Sequence, residues 1–161
     1  MTARPVPYVD PRGSRFAAWI TTFVLAAVVL SGSGALLAAQ TVVFLIGAIF
    51  GLRRAPYAAV FRLVRKAARL SPPSELESEA PLRFAQALGA VFAITGVAAF
   101  AAGAPLVGIV AAAFALAAAF LNAAFGVCLG CELYLILRRI TGRSALPRFV
   151  PSRTIAEGSS A

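Results

Sequence analysis

Between residues 84 and 137 the chain carries a single charged side chain, Glu132. Two further apolar runs, 16–30 and 35–52, stand ahead of it. A helix needs about 17–20 residues to cross the ~30 Å of hydrocarbon in a bilayer, so runs of these lengths have membrane helices as their natural form. The whole chain agrees. Of its 161 residues 60% are hydrophobic and 13% charged, with a mean hydropathy of +0.86. A soluble domain of this size would leave large apolar patches in water, whereas a bilayer absorbs them.

Turn residues divide the runs. Ser31-Gly32-Ser33-Gly34 bends the first against the second, and Gly103-Ala104-Pro105 splits the long stretch. The expectation is an all-α, integral membrane four-helix bundle made of two helical hairpins, with helices over 16–30, 35–52, 84–102 and 106–126. Residues 1–15 form a cytoplasmic arm, 16–139 the transmembrane domain, and 140–161 a polar tail expected to be disordered. Residues 127–139 lie at or beyond the cytoplasmic interface. A cleaved leader is the competing reading of the first run, but cleavage near Ala38-Ala39 would leave a remnant too short to span comfortably.

The segment 56–70 has helical periodicity. Tyr57, Val60, Phe61, Val64 and Ala68 share a face, and Arg62, Arg65, Lys66 and Arg69 fall mainly elsewhere. It suits the membrane surface, with the cations at anionic lipid head groups. Pro56 favours a separate element over an extension of the second helix.

Charge sets the orientation. All 15 basic residues lie before the first helix, between the second and third, or after the fourth, and none in the two short turns. Four spans put every one of them on a single side, as the positive-inside rule requires, so both termini are expected in the cytoplasm and the chain in the cell (inner) membrane. The net charge of +9 is accounted for in this way, and nucleic acid is not an expected partner. With no histidine, imidazole-ligated haem and histidine-based triads are excluded; no cofactor or metal is expected.

A weak repeat is also visible. Arg15-Phe16-Ala17 opens the first helix and Arg83-Phe84-Ala85 the third, while Leu52-Arg53-Arg54 and Leu137-Arg138-Arg139 close the second and fourth. Two parallel hairpins about an axis along the membrane normal would fit.

One constellation can carry chemistry: the only two cysteines, in Cys128-Leu129-Gly130-Cys131. A redox dithiol is the leading reading, with Cys128 attacking and Cys131 resolving. Cytoplasmic placement implies a resting reduced pair. On an unbroken helix the two Cβ atoms would be ~5–6 Å apart, too far for an unstrained disulfide; Gly126 and Gly130 offer the needed break. A metal reading requires a homo-oligomer pooling two pairs. The plainest reading is two small, polarizable side chains packed in a bundle. Glu132 stands beside the pair and is expected to reach water; Asn122, like Gln40, is expected to bond between helices or to line a path.

Val9-Asp10-Pro11-Arg12-Gly13-Ser14-Arg15-Phe16, Ser71-Pro72-Pro73-Ser74-Glu75, Arg83-Phe84-Ala85-Gln86 and Gly126-Val127-Cys128-Leu129-Gly130-Cys131 resemble domain-of-unknown-function family 4395. The resemblance runs from about Val9 to Arg139. That family comprises small bacterial membrane proteins without an established activity, often encoded near thioredoxin-like and rhodanese-type sulfurtransferase proteins. It therefore implies thiol or sulfane-sulfur chemistry and a partner of one of those two kinds, with Cys128 and Cys131 as the motif positions. Two rival functions stay open: a small transporter for a sulfur-containing anion, and a non-catalytic accessory subunit of a membrane complex.

Overall fold

Asp10 starts the first helix. Its carboxylate accepts the Arg12 backbone N–H at 2.9 Å and pairs with the Arg12 guanidinium at 3.2 Å, and Pro11 occupies the first helical position, where its missing N–H costs nothing. The computed structural model describes residues 8–142 and 148–151. Its order is β1 (Tyr8–Val9), α1 (Pro11–Ser31), α2 (Gly34–Phe50), a 3-10 turn (Leu52–Arg54), α3 (Pro56–Ala67), β2 (Glu75–Ser78), α4 (Glu79–Ala101), α5 (Pro105–Phe125), α6 (Leu129–Ile140) and β3 (Phe149–Pro151). Residues 1–7 of the expected arm and most of the expected tail, with Arg4, Arg143 and Arg153, lie outside the described residues.

The all-α body is present, and α1, α4 and α5 are each long and apolar enough to cross a membrane. The second apolar helix, α2, has 17 residues, or about 25 Å at 1.5 Å per residue. These four helices enclose one apolar core, in which Leu25, Val28, Leu37, Ala93 and Ala112 are wholly buried. Glycine brings the helices close: a Cβ on Gly96 would stand 2.6 Å from Leu37 Cδ2 and 3.3 Å from the Gly108 carbonyl oxygen. The outside of the bundle is equally apolar, with Phe23 68% and Leu106 72% exposed.

The hairpins interlock crosswise. α1 packs on α5 and α2 on α4, with α4 and α5 in contact through the centre. At one end this brings the start of each hairpin to the finish of the other. Arg83, opening α4, donates to the carbonyls of Ala48 and Ile49 in the last turn of α2 at 3.0 and 2.7 Å. Arg15, in the first turns of α1, donates to the Ala123 carbonyl in the last turn of α5 at 3.3 Å. Each arginine satisfies carbonyls that a helix end leaves without partners. The rings that follow repeat the relation: Phe16 meets Phe61 of α3, and Phe84 meets Tyr134 of α6, both at 5.6 Å between centroids. The sequence repeat thus corresponds to strand–helix–helix–helix twice over, with α3 matching α6. One part needs correction. Leu137-Arg138-Arg139 lies inside α6 and does not close α5, which ends at Phe125, so it is no structural counterpart of the 3-10 turn Leu52–Arg54.

Three strands correct the sequence reading further. β1 pairs antiparallel with β2, Tyr8 opposite Ser78 and Val9 opposite Glu77, and β2 pairs with β3, Glu77 opposite Phe149. The supposed irregular arm therefore carries a strand and the first turn of α1. The long polar connection ends in β2, and α4 begins at Glu79 rather than at 84. Part of the polar tail, Phe149–Pro151, folds back as a strand, because Glu77 holds it. The Glu77 carboxylate, 2% exposed, accepts from Ser14 Oγ at 2.9 Å and Arg148 Nε at 3.0 Å.

Arg148→Met would leave that buried carboxylate without its cation, a loss of about 3 kcal/mol. Thermal unfolding in detergent should show a lowered midpoint and faster proteolysis after Ile140. Gly130 lets α6 touch α4, since a Cβ there would lie 2.7 Å from Ala85 Cα; Gly130→Ala should cost about 1–3 kcal/mol by overpacking, read by the same unfolding assay.

Candidate functional site

The candidate site forms where α5 stops. Gly126 adopts φ +71°, a left-handed conformation open to glycine at little cost, and its N–H returns to the Asn122 carbonyl at 3.1 Å. The chain then leaves helix through Val127 and re-enters it at Leu129. Cys128 becomes the N-cap of α6, its sulfur accepting the Cys131 backbone N–H at 3.3 Å. This is the break expected at Gly126; Gly130 lies inside α6. With Cys128 outside the helix and Cys131 in its first turn, the Cα atoms stand 5.2 Å apart and the pair is joined in a disulfide. The sequence reading expected a reduced pair; here it is oxidised and buried, with Cys128 4% exposed and Cys131 fully enclosed, packed with Leu82 against Val9, Leu52 and Ala85.

Arg148 ties the shell together. Beyond Glu77 it reaches Glu132 Oε1 at 3.1 Å and the Gly126 carbonyl at 3.4 Å, linking β2, the break after α5 and the first turn of α6. Glu132 is half exposed; it reaches water as expected, but as the partner of Arg148. Neither Glu77 nor Arg148 stood out in the sequence. The period-2 run Glu75-Leu76-Glu77-Ser78 was the available signal, masked by its three-acid neighbourhood.

A cavity of about 300 Å³ opens inside the bundle next to the cysteines. It occupies the half of the bundle nearest the sheet. Its walls are Ala17, Ala18, Phe44, Phe92, Phe114 and Ala115, and Cys128 lines one end. Glycine shapes it here too, since a Cβ on Gly89 would press on the Phe44 ring at 3.0 Å. Thr21, Gln86 and Asn122 also line it, and none of their side chains hydrogen-bonds to another described residue. Asn122 therefore does not join helices. It lines the cavity instead, the other role expected of it. Gln40 does serve between elements, its Oε1 accepting the Tyr57 hydroxyl of α3 at 2.6 Å, and burial raises the Tyr57 pKa despite that bond. No lysine or arginine lines the cavity, which weighs against an anion inside it.

Arg62, Arg65 and Lys66 of α3 and Arg69 just past its end are exposed, and Val60 and Val64 beside them are also open, while Phe61 packs inward. The set lies away from the cysteines, across a second cavity of about 420 Å³ beneath α3 that shares Ser14, Ala17, Leu52 and Gln86 with the first. Among the described residues no cluster of three Cys, Asp or Glu could hold a metal ion.

No curated protein and no solved structure matches the chain. The family model described as Domain of unknown function (DUF4395) matches residues 9–139, from the end of β1 to the last turn of α6. The chain belongs to that family.

Proposed function

We propose that this chain is an inner-membrane thiol–disulfide protein in which all four apolar helices, α1, α2, α4 and α5, cross the bilayer with the cysteine end toward the cytoplasm. The span count is supported by the 17 residues of α2, enough for a thin or locally compressed hydrocarbon layer, and by the way α2 packs against α4. The orientation is supported by charge: α1 begins, α2 ends, α4 begins and α5 ends beside the arginines, and the opposite turns have none. The exposed cations of α3 then meet anionic head groups.

The observation that carries the chemistry is Cys128 as N-cap of a 12-residue helix, its sulfur receiving an amide N–H, with Cys131 disulfide-bonded to it. A helix N-terminus favours negative charge on the capping sulfur, and so favours Cys128 as the attacking thiolate. In the reduced protein Cys128 attacks one sulfur of a partner disulfide and releases the partner's first thiolate. Cys131 then attacks Cys128 and releases the second, so two electrons pass to the partner as the Cys128–Cys131 bond forms. The reverse sequence reduces the pair. A thioredoxin-like or sulfurtransferase protein is a suitable partner at the cytoplasmic face, reaching the sulfurs once the cover of Val9 and Leu52 opens.

In intact membranes, Ser71→Cys should react with an impermeant maleimide only from the cytoplasmic side and Ser33→Cys only from the outside; the reverse pattern, or labelling of both from one side, rejects the topology. Equilibration of the full chain in detergent over a range of glutathione ratios should show both native thiols appearing together in one reversible two-electron transition. In the reduced form a brief alkylation pulse should modify Cys128 before Cys131. A pair that will not cycle refutes the redox role, and faster modification of Cys131 refutes the assignment of the attacking thiol.

A further inference from the structure

We infer that the cavity beside Cys128 is a binding site for a membrane-dissolved quinone, and that the quinone is the electron acceptor for the cysteine pair. The inference rests on the redox reading above and names its oxidant. Three observations carry it. The first is access: the cysteines are almost wholly closed to solvent, yet Cys128 lines a space within the apolar bundle. A small reactant arriving through the hydrocarbon meets this sulfur more directly than one arriving through water.

The second is size. A protein cavity of about 150 Å³ holds one benzene ring. The space here, about 300 Å³, accommodates a substituted ring with two carbonyl oxygens, and falls at the lower end of the volumes used for small-molecule sites.

The third is polarity. Thr21 is 5% exposed and lines the cavity with Gln86 and Asn122. All three side chains lack hydrogen-bond partners among the described residues. Gln86 and Asn122 are partly buried, and polar groups facing a largely apolar space without partners are costly. A hydrocarbon tail would leave them unpaired, and an anion would find no cation on the walls. A neutral, mostly apolar molecule with two acceptor oxygens answers both conditions, because a threonine hydroxyl and two carboxamide N–H groups donate and quinone carbonyls accept.

The reaction balances. The Cys128 thiolate adds to a ring carbon of the quinone. The Cys131 thiolate then attacks Cys128 sulfur, the S–S bond forms as the C–S bond breaks, and the bonding pair returns to the ring. Two electrons leave the dithiol, and its two protons end on the quinone oxygens, giving disulfide and hydroquinone.

The test uses the full chain, reduced in detergent and freed of reductant, with decylubiquinone as probe. Quinone absorbance should fall by one equivalent per protein as both thiols disappear, at a rate that saturates with quinone concentration. Asn122→Leu, which preserves volume, and Ala118→Phe, which fills the cavity, should each slow the reaction at least tenfold while the glutathione titration of the pair is unchanged. Absent reduction, a rate that rises without saturation through the detergent phase, or equal rates in wild type and both variants would each overturn the quinone site. If the pair also fails to cycle with glutathione, the redox reading itself falls; if it cycles normally, only the quinone is lost.

Discussion

A helix that ends in or near hydrocarbon leaves carbonyls with no water to satisfy them, and this chain meets the problem by crossing its hairpins. Arg83 at the start of α4 covers Ala48 and Ile49 at the end of α2, and Arg15 near the start of α1 covers Ala123 near the end of α5. Each arginine acts on the hairpin to which it does not belong. The pairing of α1 with α5 and α2 with α4 follows, and so does the gathering of four helix ends at one place. The three-stranded sheet seals that place, and the two amphipathic helices pack beside it, α3 on α1 and α6 on α4.

The repeat makes the departures from it informative. The first strand–helix–helix–helix unit enters its amphipathic helix through Ala55 and Pro56, with no side-chain cap; the second enters through Gly126 and Cys128, with sulfur as the cap. Cys128 and the N–H it accepts thus have no equivalent in the first half. The cavity is unsymmetrical as well, taking Thr21 from α1, Gln86 from α4 and Asn122 from α5. A scaffold of two similar halves holds one cysteine pair and one polar-tipped apolar space, and these adjoin each other.

Particular residues show what was legible. The boundaries at Ser31-Gly32 and Gly103-Ala104-Pro105, the separate helix after Pro56 and the break after Gly126 could all be read locally, because turn glycines and prolines act on their own φ angles. The cap that Asp10 forms with Arg12, two residues on, is equally local. Glu77 and Arg148 were not, being 71 residues apart in sequence: an acid in a polar loop and a base in a tail look like solvated charges until the strands bring them together. Asn122 was left between two roles for the same reason, since whether a polar side chain finds a partner across a bundle or faces a hollow depends on the residues opposite.

The amino-acid sequence alone determined the apolar helices, their turns, the absence of charge from the two short turns and the spacing of the two cysteines, because hydrophobic length, backbone permissiveness and composition are properties of contiguous residues. Tertiary structure decided which hairpin caps which, that a sheet closes the end of the bundle, that the sulfurs are buried, and that three unpartnered polar side chains share one cavity with Cys128. Those outcomes come from long-range packing, where the shape left between helices is set by side chains distant along the chain.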